Sequence, residues 1–146
     1  MSDAEQPHML DPVQAGEGDG EDRRWAYWLV VFLRAMAALS LLKGLYHWAI
    51  VCGISKPFPG SFDAYPTSYQ VATVFFAVID LVAGVGLWLA APWGAVVWLT
   101  SVISMAALEI LFPQIYGGSI LVIATQVLLL GIYLWLALMA ASEQAA

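Results

Sequence analysis

The chain has 146 residues, 62% of them hydrophobic and only 11% charged, against about a quarter charged in soluble globular proteins, so a water-soluble fold is excluded. Its formal charge of -6 is set by a short segment, since seven of the eleven acids (Asp3, Glu5, Asp11, Glu17, Asp19, Glu21 and Asp22) fall in the first 22 residues. Without a basic stripe the chain lacks the electrostatic footprint of a nucleic-acid binder, and no nucleic acid is expected as partner. The single cysteine, Cys52, forbids an internal disulfide and a CxxC redox or zinc pair.

Residues 1–22 combine Gly, Pro, Asp, Glu, Gln and Ser with little to bury, the composition of a disordered acidic tail. The membrane domain is expected over 23–142, with helices at about 25–52, 70–91, 93–112 and 118–141. The first span follows a polar tail and lacks a small-residue cleavage site, so it reads as a retained helix and not a signal peptide. Ala90-Ala91-Pro92 leaves room only for a tight turn, which makes the second and third spans an antiparallel hairpin, with Pro92 suited to a first helical turn. Pro113 to Gly118 predicts a second tight turn. Between the first and second spans the one sizeable loop, GISKPFPGSFDAYPTSY, carries Phe58, Phe62, Tyr65 and Tyr69 and leads to Phe75. Thr67 with Gln70 three residues on resembles a capping box opening the second helix.

The fold expected is therefore all-α, a four-helix transmembrane bundle, because backbone exposed to lipid must satisfy its own hydrogen bonds. Arg23 and Arg24 flank the first span while the opposite loop holds Lys56 alone, so the positive-inside rule places both the N and C termini in the cytoplasm. Trp25, Trp28, Trp88 and Trp93 then form one aromatic belt, and Trp48, Tyr65, Tyr69 and Tyr116 the other.

Four charged side chains lie inside the spans: Arg34, Lys43, Asp80 and Glu109. Each costs about 2.5 to 3.5 kcal/mol at a helix centre on insertion scales, which makes them the candidate intramembrane polar site together with His47 and Gln126. Asp80 shares a helical face with Thr73, Ala77, Gly84 and Leu87, whose small members admit a close neighbour. Arg34, about ten residues into the first span, is the expected cation beside Asp80, with snorkelling to head groups as its alternative. Lys43 lies nine residues from Arg34, on the opposite side of the helix, and its face carries Ser40 and His47. A Lys43, His47 and Glu109 cluster is expected toward the outer side, the alternative again being snorkelling of each group. Structural pairing and a proton or ion site both fit these charges. Ser40 with Lys43 lacks the second signature of a Ser/Lys hydrolase. His47, the one histidine in a span, supports neither paired haem ligation nor a metal site with Glu109 and Cys52. No metal or cofactor is expected. Ser119, Gln126 and Tyr133, seven apart on the fourth helix, predict a polar stripe that bonds across the bundle.

The opening RRWAYWLVVFLRAMAALSLLKGLYHWAI, with Arg34 inside the span and Lys43-Gly44 following, resembles an uncharacterised family of small four-helix membrane proteins of alphaproteobacteria. It is more distantly similar to DoxX-like four-helix membrane proteins. The first resemblance covers most of 23–142 and implies a multi-pass protein of the bacterial inner membrane without a known activity. The second implies association with a redox complex and supplies no site residues. A bundle this small leaves limited room for a private solute path. The function expected is that of a non-enzymatic accessory or scaffold subunit of a membrane complex, contacting lipid and a protein partner or a second copy of itself. The alternative is an oligomeric proton- or ion-coupled transporter or channel using Asp80, and the third is a membrane redox or lipid enzyme.

Overall fold

The computed structural model describes residues 24–117 and 119–145, and the acidic tail of residues 1–22 lies outside them. Among the described residues the chain is helical with no strand: α1 (Arg24–Val51), a 3-10 turn (Phe62–Ala64), α2 (Thr67–Trp88), α3 (Pro92–Leu111), a one-turn α4 (Pro113–Tyr116) and α5 (Ile120–Ala145). The four long helices are each long and apolar enough to cross a membrane. At 1.5 Å rise per residue even α3, with 20 residues, reaches about 30 Å, the thickness of a typical hydrocarbon core. Helix α1 packs most extensively on α2, α2 on α3, and α5 lies against α1 and, more lightly, α3.

Lipid-facing helices gain nothing from hiding apolar surface from water, so close van der Waals contact must bring them together, and glycine permits it. A Cβ at Gly44 would sit 2.9 Å from the Leu81 side chain, and one at Gly84 2.7 Å from that of Leu41. These two contacts set the antiparallel register of α1 on α2. The approach is closer still between α2 and α3, where a Cβ at Gly94 would overlap the carbonyl carbon of Gly86. Such a hairpin needs glycine on both strands of its neck. Helix α2 ends there in a Schellman turn: Ala90 takes a left-handed φ of 52°, its N–H bonds the Leu87 carbonyl, and Ala91 N–H bonds that of Gly86. Pro92 then opens α3 at its first position, as its missing N–H allows.

The second helix spans Thr67–Trp88, three residues earlier at each end than the sequence suggests. At its start no capping box forms. Pro66, with its ring-fixed φ of -54°, occupies the N-cap position and makes no side-chain cap. Gln70 folds back instead, its amide nitrogen donating to the carbonyls of Tyr65 at 2.8 Å, Asp63 at 3.1 Å and Phe62 at 3.2 Å. The preceding 3-10 turn offers those carbonyls, and a long amide reaches them better than a backbone N–H on the helix axis. Phe58, Tyr65, Tyr69 and Tyr116 pack with ring centroids 5.4 to 5.9 Å apart, folding the loop onto the end of α2. The fourth span continues to Ala145, since nothing after Ala141 breaks a helix. There Glu143 accepts a 3.3 Å hydrogen bond from the N–H of Trp25, one of the donors that the first turn of α1 leaves without an intrahelical partner.

Candidate functional site

Two of the four charges inside the spans, Lys43 and Asp80, meet near the middle of α2. The Asp80 side chain is 2% exposed, and the face it shares with Thr73, Ala77, Gly84 and Leu87 is buried along its length. Three groups from two other helices surround the carboxylate. Lys43 Nζ of α1 lies 3.3 Å from Oδ2 and donates to Oδ1 at 3.4 Å. Ser101 of α3, itself buried, donates its hydroxyl to Oδ1 at 2.5 Å, the short length of a bond to a charged acceptor. His47 Nδ1 stands 3.9 Å from Oδ2, and the same nitrogen is 2.9 Å from the Lys43 carbonyl one turn back on α1. A carbonyl only accepts, so Nδ1 is the donor in this contact. The Phe76 ring, 1% exposed, floors the cluster, with Lys43 Nζ 5.0 Å and the imidazole 5.7 Å from its centroid.

The cation beside Asp80 is therefore Lys43 and not Arg34. Gly84 is wedged between Ala37 and Leu41, so a register that carries Lys43 to Asp80 carries Arg34 to the last turn of α2. There the Arg34 guanidinium lies 4.8 Å over the Trp88 ring, exposed at the end of the bundle. The first ten residues of α1 extend past that point. Glu109 does not join Lys43 and His47. It is 3% exposed, near the far end of α3, its Oε2 buried without a hydrogen-bond partner among the described residues, and the ion pairs found there stop at Asp80. Gln126 and Tyr133 of the predicted stripe both face inward. Tyr133 packs at 5.7 Å from Trp98 and 6.4 Å from Phe32, while Gln126 Oε1 is buried without a partner.

Ser101 is the participant that residue type alone does not single out. A positional signal exists nevertheless: in a hairpin turning at Ala90-Ala91, Asp80 stands ten residues before the turn and Ser101 ten after it. Beside the cluster a cavity of about 230 Å³ opens between the four long helices, and Lys43, Asp80, Ser101, Ser40 and Gln126 provide its polar side. On the Trp88 side of the cluster, Met36, Ala37, Ala83, Leu87 and Trp98 form the apolar core of the bundle. What this arrangement supplies chemically is a pair of opposite charges, a short hydroxyl bond and an imidazole, held by three helices in apolar surroundings.

No curated protein and no solved structure matches the chain. The sequence pattern of one family does match, over residues 27–144, a range that takes in α2 and α3 whole, nearly all of α1 and α5, and every member of the Asp80 cluster. The chain thus belongs to the Family of unknown function DUF6163.

Proposed function

We propose that the chain is a non-enzymatic accessory or scaffold subunit of an assembly in the bacterial inner membrane, with both termini on the cytoplasmic side. One observation carries this reading: the Asp80 carboxylate is engaged by groups from two neighbouring helices and lies above an apolar core, so among the described residues the polar groups tie helices together and an apolar layer closes them off on that side. A buried pair of this kind contributes more to which helices meet, and in what register, than to net stability. The test is isolation of the chain in mild detergent. A scaffold subunit runs well above its own 15.8 kDa with other chains in fixed stoichiometry, whereas a pure monomeric chain that moves protons or ions in liposomes would overturn the reading.

A second reading, an oligomeric proton- or ion-coupled transporter using Asp80, draws support from Glu109, a second buried acid whose Oε2 has no hydrogen-bond partner among the described residues. The two separate through Asp80→Asn. In a transporter the variant folds and loses flux; in a scaffold it weakens the bundle and there is no flux to lose.

A further inference from the structure

We propose that the loop joining α1 to α2 binds the phosphoethanolamine headgroup of a membrane lipid. A cavity of about 270 Å³ opens there between two short stretches of chain, one within Ile50 to Lys56 and the other within Gly60 to Tyr65. Lys56 stands on the first wall and Asp63 on the second, both exposed. They are not paired with each other, since the ion pairs among the described residues all end on Asp80. Hydrogen bonds hold each wall in place. Ile54 and Ser55 both donate their N–H to the Ala49 carbonyl, at 2.8 and 3.0 Å, and Gln70 clamps the 3-10 turn through its carbonyls. Ile50 and Tyr65 supply the buried part of the lining. Opposite charges on two fixed walls, not joined to each other, suit a ligand that carries both. A zwitterion meets them with two charge-assisted hydrogen bonds, whereas a simple anion or cation leaves one wall charge unanswered. Its cation must carry N–H groups, because an ionised Asp63 can only accept. The cavity begins where α1 ends, at Val51, which for a spanning helix is the headgroup level, so the zwitterion within reach is a lipid's phosphate and primary ammonium. The site stands whether the chain serves as a scaffold or as a transporter.

The test uses the full chain in uncharged detergent micelles. Cys52 is the single cysteine, is exposed and lines the same cavity, so occupancy is read as slower alkylation by N-ethylmaleimide. Rates are referred to a thiol placed by Ser68→Cys in a Cys52→Ala chain, exposed at the same end of the bundle but outside the cavity lining. Lysophosphatidylethanolamine is expected to protect Cys52 saturably. Lysophosphatidylcholine, whose trimethylated nitrogen has no N–H, and lysophosphatidylglycerol, which has no cation, should each need about tenfold more, the factor that one unmade hydrogen bond to a charged group represents. Lys56→Gln and Asp63→Asn should each raise the half-protecting concentration by a similar factor with helix content unchanged. Equal protection by all three lipids would overturn the proposal in favour of unselective lipid contact. Protection by free phosphoethanolamine equal to that by the lipid would overturn it in favour of a soluble zwitterion. No protection by any of them, or undiminished protection in both folded variants, would leave the loop without a headgroup site.

Discussion

Asp80 engages groups from two other helices, and this distribution decides what each substitution does. Removing one partner of a buried ion pair strands the other charge, a loss of up to about 3 to 5 kcal/mol, whereas replacing both with apolar residues of similar size is often neutral. Lys43→Met and Asp80→Leu are each expected to lower the unfolding temperature in detergent, by an amount toward the lower end because Lys43 keeps 36% of its side chain exposed. The double variant should recover most of the loss. Ser101→Ala should cost less, on the order of 1.5 to 3 kcal/mol for a hydrogen bond to a charged group. Arg34→Ala removes only an exposed contact with Trp88, worth about 0.5 to 1 kcal/mol. A loss at Arg34 as large as at Lys43 would contradict the pairing. Residue type alone identified all the charged participants, because a charge inside an apolar span is conspicuous. It did not identify who pairs with whom, since counting both spans from the same membrane face assumes that α1 and α2 end level, and α1 runs on ten residues beyond Arg34.

At the scale of the helix, glycine placement and turn chemistry govern how the bundle closes. The Gly94 backbone meets the Gly86 backbone, and no side-chain rotation relieves an added methyl there. Gly94→Ala should therefore destabilise by at least the about 1 to 3 kcal/mol typical of overpacking, and should loosen the α2–α3 hairpin that holds Ser101 against Asp80. The reverse holds one turn away. Ala90 sits at a left-handed φ of 52°, a conformation that costs an L-residue roughly 1 to 2 kcal/mol and glycine nothing, so Ala90→Gly should leave the hairpin intact and raise the unfolding temperature. A fall would mean that the Ala90 methyl group makes contacts worth more than the strain. The helices themselves are legible from apolar run length, and the hairpin from Pro92 following a two-alanine gap. The start of α2 is less so: Thr67 and Gln70 have the spacing of a capping box, but Pro66 already fixes the entry angle and the 3-10 turn draws the glutamine amide away.

For the whole molecule, the arrangement of ends turns orientation into a two-point measurement. The N–H of Trp25 is bonded to Glu143, so the start of α1 and the end of α5 share one face of the bundle. Ser61 lies in the loop joining α1 to α2, on the opposite face, exposed. If the four long helices cross the bilayer, Ser142 and Ser61 must therefore report opposite sides, and the positive-inside rule, applied to the arginine pair before Trp25 against the lone Lys56, predicts that the Ser142 side is cytoplasmic. In a Cys52→Ala background, which removes the exposed native thiol, Ser61→Cys should react with a membrane-impermeant maleimide in intact cells. Ser142→Cys should react only after permeabilisation. The converse pattern would keep the bundle and invert its orientation. Labelling of both positions in intact cells would refute a four-span crossing altogether, and with it the reading of Lys43 and Asp80 as charges held within the membrane.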